Sequence, residues 1–221
     1  MRIYDLTPFS MQDFPDRLAA ILWIGGCNLR CPYCHNPDIV YGKNEFGFEE
    51  VLEFLRRRKG RLDGVVFSGG EPTLHPGLLE MASSIKELGY AIKLDTNGTR
   101  PGVLQELLEK GVLDYVAMDI KAPPQKYKRV AGRDLFDEVK SSLDILIESG
   151  IEFELRTTVH TDLLGEADIE AIAKLLQEAD YKGIYYIQNF VDSGKTLRTL
   201  PPQKRLLKPL ELPVRSAYRN F

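Results

Sequence analysis

Six short, nearly continuous apolar runs, at 19–24, 64–67, 91–94, 115–120, 153–159 and 184–187, alternate with stretches of helical periodicity. The helical sets are Phe48, Val51, Leu52 and Leu55; Leu78, Met81, Ala82 and Ile85; and Ile169, Ile172, Ala173 and Leu176. Each repeats at i, i+3, i+4 and i+7, so one stripe of each helix faces a core. Continuous apolar runs suit strands buried on both faces, as in parallel sheets. Gly89, Gly111 and Gly150 stand where three helices should close before the next strand. Repeated βα units predict an α/β fold with a parallel sheet and right-handed crossovers, either open and doubly wound or curved toward a barrel. At this length about 70% of the unfolded surface can be buried, enough for one sizeable core. One domain over 1–200 is expected. Prolines at 201, 202, 209 and 213 and several basic residues predict an irregular tail over 201–221, packed on the domain.

All three cysteines, Cys27, Cys31 and Cys34, fall in GCNLRCPYCHNP. Three thiols cannot all pair with one another, which argues against a disulfide framework. Soft thiolates suit zinc, copper(I) or an iron–sulfur cluster. A closed zinc site requires a fourth ligand. His35 directly follows Cys34, and adjacent residues rarely both reach one tetrahedral ion. A [4Fe-4S] cluster on three cysteines leaves one iron open for chemistry.

The CxxxCxxC spacing, with Tyr33 before the third cysteine, resembles the radical S-adenosylmethionine (SAM) enzymes. That resemblance implies a partial (β/α)6 TIM-like barrel, Cys27, Cys31 and Cys34 as metal ligands, and SAM chelated to the open iron. It also implies that one electron cleaves SAM to a 5′-deoxyadenosyl radical. The second expected strand runs into FSGGEPTLHP, where Gly69, Gly70 and Glu71 match the family's GGE element and would hold the SAM amino group. Without the cysteines this would read as an ordinary βα turn.

The third and fourth expected strands end in KLDTNGTRP and YVAMDIKAPP, placing Asp95, Asp119 and Lys121 at the ends of apolar runs. These segments resemble the DTNG and D-x-K elements of glycyl-radical-enzyme activases, a radical SAM subgroup. By that resemblance Lys121 pairs with the SAM carboxylate. Asp95 and Asp119 share a monovalent cation, with Thr96 and Met118 offering backbone oxygen, and Asn97 belongs to the same element. On the fifth strand Glu154, Arg156 and Thr158 share a face. Arg156 there would meet the SAM carboxylate or an inner Asp, or form a plain strand-end salt bridge. Gln188 or Asn189 would meet the ribose, and Tyr33 would stack near the adenine or screen the cluster from water. His75 and His160 read as loop hydrogen-bonders. No side chain is expected to act as acid or base, because cluster and SAM carry the chemistry.

Lys and Arg total 29 against 32 Asp and Glu, a formal net charge of −3, so nothing global recruits nucleic acid or an anionic membrane. The opening MRIYDLTPFSMQDFPDR has an early acid, two prolines and no continuous apolar segment, unlike a secretory signal, so a cytoplasmic protein is expected. The resemblance implies a glycyl radical enzyme as protein substrate, in the closest pattern an anaerobic ribonucleoside-triphosphate reductase, with a flavodoxin- or ferredoxin-type electron donor. Partner contacts are expected at residues 121–133 and at the DFPD segment. Asp16 stands where similar activases usually have glycine, and there is no second cysteine cluster. A radical SAM enzyme acting on a small molecule, such as one like 7-carboxy-7-deazaguanine synthase, is the alternative.

Overall fold

The computed structural model describes residues 2–42, 46–192 and 194–221. Its elements are β1 (Arg2–Ile3), β2 (Asp5–Ser10), β3 (Ala19–Ile24), α1 (Pro37–Tyr41), β4 (Phe46–Gly47), α2 (Phe48–Arg58), β5 (Gly64–Gly69), α3 (Leu78–Glu87), β6 (Ala91–Thr96), α4 (Pro101–Glu109), β7 (Tyr115–Asp119), α5 (Pro124–Ala131), α6 (Phe136–Ser149), β8 (Phe153–Val159), α7 (Glu166–Glu178), β9 (Tyr185–Asn189) and β10 (Ser216–Arg219). All six expected strands form, as β3 and β5 to β9. The helical stripes bury Val51, Leu52 and Leu55 of α2, Leu78, Met81, Ala82 and Ile85 of α3, and Ile169, Ile172, Ala173 and Leu176 of α7. Gly89, Gly111 and Gly150 take φ of 84°, 62° and 71°. No helix among the described residues is long and apolar enough to cross a membrane.

The chain divides into two units, the first comprising residues 1–28, 38–96 and 100–117. Here β3, β5 and β6 run parallel, with Ala19 beside Gly64 and Gly64 beside Ala91, so the strands start together and their C-terminal ends lie side by side. β2 pairs antiparallel with β3 at the sheet edge, where Pro8 removes no ladder bond that a central strand would need. Phe14 is buried against Ala19, Ile21 and Val66, at the N-terminal ends of the strands. Phe14 of the DFPD segment is therefore packed at the end of the sheet opposite Gly69 and Thr96, while Pro15 and Asp16 are exposed. Asp16 adopts φ 57°, the left-handed conformation that a glycine would take freely and Asp tolerates.

The second unit comprises residues 29–37, 97–99 and 118–221. β8, β9 and β10 are parallel neighbours, with Arg156 beside Tyr186 and Tyr186 beside Ala217. Alternation separates two faces. Leu155, Thr157, Val159, Tyr185 and Ile187 are buried on one, while Arg156, Thr158, Tyr186, Gln188 and Arg219 are half-buried on the other. Residues 201–215 form no helix or strand, and the tail departs from the irregular segment expected only at 216–219, which form β10. Leu207 donates to Asn189 Oδ1 at 3.1 Å, Arg205 grips Glu166 through both guanidinium nitrogens, and β10 adds a strand beside β9.

Candidate cofactor site

Within the first unit, the strand ends of β3 and β5 are tied together by backbone. Gly70 N donates to Ile24 O and Glu71 N donates to Gly26 O, each at 2.8 Å, so the GGE turn fixes the root of the cysteine loop one residue before Cys27. His75 Nε2 lies 2.8 Å from Gly25 O, the loop role expected of it. A Cβ on Gly70 would sit 2.0 Å from Gly26 O, and Gly69 has φ 115°. Both glycines therefore serve close backbone packing as well as any ligand. Gly70→Ala is expected to cost about 1–3 kcal/mol, the usual range for overpacking. A thermal melt checks this; an unchanged Tm would show that the loop root can move aside.

Glu71 is fully buried and its Oε1 accepts from Thr73 N at 3.1 Å, from Thr73 Oγ1 and from Thr96 Oγ1 at 2.8 Å. It thus caps the turn at Pro72 as a carboxylate should. Asp95 accepts from Ser68 Oγ at 2.9 Å and pairs with the buried Lys93 ammonium at 2.7 Å. A monovalent cation at Asp95 would compete with that ammonium.

Within the second unit, Asn97 Oδ1 accepts from Thr99 N at 3.0 Å and from Thr99 Oγ1 at 2.6 Å, a side-chain turn that shapes the strand exit. Asp119, at the end of β7, is held from two sides. Lys121 Nζ lies 2.9 Å from Oδ2 and Arg156 Nε 2.9 Å from Oδ1. Burial alone would raise the Asp119 carboxyl, but the charges of Arg156 and Lys121 outweigh it and hold the group well below the usual carboxylate range. Burial likewise works against the Lys121 ammonium, and the Asp119 charge overcomes it, keeping Lys121 protonated far above neutrality. Arg156 thus meets a strand-end carboxylate, Asp119, within its own unit.

Tyr33 is buried, and its hydroxyl has no hydrogen-bond partner among the described residues. Burial first, then the neighbouring charges of Cys31 and Asp119, push that hydroxyl well above its usual range, with Lys121 opposing them. Gln188 is half-buried beside Thr158 and Arg219 in register. Asn189 is turned away, its amide bonded both ways to Leu207, which leaves Gln188 as the ribose candidate. His160 is buried, accepting from Asp162 N at 3.3 Å through Nδ1, so Nε2 carries the proton toward Pro201 O.

Cys31 is buried, Cys27 and Cys34 are half-buried, and no disulfide joins them. His35 turns its Nε2 to Val191 O at 2.7 Å and stacks on Phe190. Among the described residues no three Cys, His, Asp or Glu side chains gather around a single ion. The three cysteines of a [4Fe-4S] cluster each hold a different iron, so their thiolates need not converge on one point. Three cysteines without a fourth in the sequence fit a site-differentiated cluster, and the Tyr33 hydroxyl, buried without a hydrogen-bond partner among the described residues, fits an organic ligand.

The model of the Radical SAM superfamily matches residues 21–179, which carry every candidate residue except Gln188. A Methanocaldococcus jannaschii protein that bears the name glycyl-radical enzyme activating enzyme is 36% identical over 195 residues, 84% of this chain and 78% of its own length. The pyruvate formate-lyase-activating enzyme of Clostridium pasteurianum is 36% identical over 60% of this chain, which spans 58% of that enzyme. The structure of Streptococcus suis SuiB bound to precursor peptide SuiA shares the fold with a TM-score of 0.68 at 16% identity, over 84% of this chain and 41% of that one. The fold of this family is the partial (β/α)6 barrel, in keeping with the mostly parallel sheet here, and its cofactors are a [4Fe-4S] cluster and SAM. The chain belongs to the Radical SAM superfamily and is an enzyme of that class.

Proposed function

We propose that this enzyme is an activase that installs a glycyl radical in a partner enzyme by abstracting hydrogen from one glycine Cα. The observation that carries the reading is the 36% identity, over 84% of this chain, with a relative named for that activity. The D-x-K element supports it, because Lys121 and Asp119 form a charged pair at a strand end that would otherwise be apolar.

When bound, the cluster and SAM supply one-electron cleavage of a carbon–sulfur bond and a primary carbon radical able to take a hydrogen atom. Cys27, Cys31 and Cys34 would each hold one iron of the cluster. Lys121 would present its ammonium to the SAM carboxylate. Asp119 keeps Lys121 charged, and Arg156 fixes Asp119 from the other side. By the family resemblance Gly69, Gly70 and Glu71 would receive the amino group, Asp95, Thr96 and Asn97 would contact SAM, and Tyr33 and Gln188 would take the adenosine. No side chain has to move a proton. The finer reading names an anaerobic ribonucleoside-triphosphate reductase as the partner and a flavodoxin- or ferredoxin-type protein as the electron donor.

The test is anaerobic incubation of the reduced enzyme with SAM and, in parallel, with candidate glycyl radical enzymes or small molecules. 5′-Deoxyadenosine is expected to form in proportion to added glycyl radical enzyme, the ribonucleotide reductase foremost. SAM cleavage that answers to a purine-like small molecule and to no glycyl radical enzyme would replace the activase with the small-molecule alternative.

A further inference from the structure

Behind Asp119 stands a second carboxylate, Glu154 on β8, whose side chain is only 7% exposed. Arg156 Nη1 lies 3.6 Å from its Oε1, and Arg219 Nη2 lies 3.5 Å from its Oε2. Arg219 comes from β10, in register beside Gln188, and its guanidinium lies 3.8 Å from the centre of the Tyr186 ring. From β10 inward the charges alternate in sign: Arg219, Glu154, Arg156, Asp119, Lys121. All five belong to the second unit.

A carboxylate this deeply buried is tolerable only while its cationic neighbours stay in place. With Arg219 present, Glu154 shares its two oxygens between two guanidiniums, and Arg156 can leave its Nε on Asp119. Without Arg219, the full attraction of Glu154 falls on Arg156 and competes with Asp119 for it. Stacking on Tyr186 fixes the plane of the Arg219 guanidinium, so the residue acts as a stiff brace. We propose that Arg219 is a positioning residue for the cofactor site, setting through Glu154 and Arg156 where Asp119 holds Lys121. The proposal rests on the reading that Lys121 receives the SAM carboxylate. It gives the strand in the tail a task in the reaction beyond closing the sheet edge.

The test uses anaerobically reconstituted holoenzyme and compares Arg219→Ala, Arg219→Lys, Lys121→Ala and Tyr218→Phe. Equilibrium SAM binding, the change in the reduced cluster's electron paramagnetic resonance on adding SAM, and Tm are read for each. Tyr218→Phe is the structural control, since its hydroxyl bonds both the amide and the carbonyl of Leu210 and anchors β10 without facing the charged row. Arg219→Ala is expected to weaken SAM binding about tenfold, the lower end of what loss of a supporting partner behind a ligand shell brings. Arg219→Lys, which keeps the charge and loses the planar stack on Tyr186, should recover only part of that loss, and Tyr218→Phe should lower Tm while leaving SAM affinity alone. Should Arg219→Ala fail to fold, Arg219→Gln takes its place. Unchanged SAM affinity in Arg219→Ala, with weakened binding in Lys121→Ala, overturns the proposal and leaves the site reading standing. Equal losses of affinity in Arg219→Ala and Tyr218→Phe overturn it as a mere effect of β10 stability. Unchanged affinity in Lys121→Ala overturns the site reading and this proposal with it.

Discussion

Cys31→Ala is expected to reduce the iron content of anaerobically reconstituted protein from about four per chain to near none, with loss of the brown chromophore. The side chain is buried, and Cys34 N donates to the Cys31 backbone oxygen at 3.1 Å. Alanine keeps that backbone bond, so the metal-free variant should still fold and should lose on the order of 1–3 kcal/mol against the metal-free parent. Iron and acid-labile sulfide analysis beside a thermal melt separates the two effects. One tightly held zinc with no sulfide in the parent protein would reject the cluster altogether.

Asp119→Ala should produce a large loss of stability in the second unit. It leaves the Lys121 ammonium and the Arg156 guanidinium facing one another without their shared counter-ion, and their side chains are 19% and 16% exposed. Removing one member of such a buried arrangement costs on the order of 3 kcal/mol. SAM binding should fall with it, because Lys121 loses the partner that aims it. The sign with pH follows from the depressed Asp119 carboxyl. Its contribution is fully present above the unfolded value of about 3.9 and is lost as pH falls toward the lower folded value. Melting curves between about pH 5 and pH 2 should therefore converge for the parent and Asp119→Asn, which lacks the titrating group. Curves that stay parallel through that window would show that the carboxylate is not stabilised by its two cations.

Much of this arrangement could be read from the sequence because period and composition encode it directly. The apolar runs from Ala19 to Ile187 and the stripes such as Leu78, Met81, Ala82 and Ile85 report burial locally, and burial decides the element. The cysteine spacing reports a ligand set in the same local way. What escaped depends on distant partners. β10 is a four-residue strand after four prolines, and only its register against β9 makes it one. β2 has a largely exposed pattern and a proline because it lies on an edge. Asn189 and Gln188 looked equivalent until Leu207, eighteen residues on, took the Asn189 amide. Gly70 signalled a close approach correctly, but the approaching group in the fold is the Gly26 carbonyl of the cysteine loop itself. Glu71, read only as a ligand, also caps its own turn, a role visible in hindsight in the Glu-Pro-Thr sequence that starts a short helix. Arg219 carried no local signal at all, since its carboxylate partner lies 65 residues away.

The most direct test of the activase assignment is electron paramagnetic resonance of the reduced enzyme, SAM and an anaerobic ribonucleotide reductase mixed without oxygen. A doublet from a glycyl radical should appear, together with 5′-deoxyadenosine, and should vanish when the partner's radical-bearing glycine is changed to alanine. A doublet absent from every glycyl radical enzyme tried, while SAM is still cleaved, would contradict the assignment.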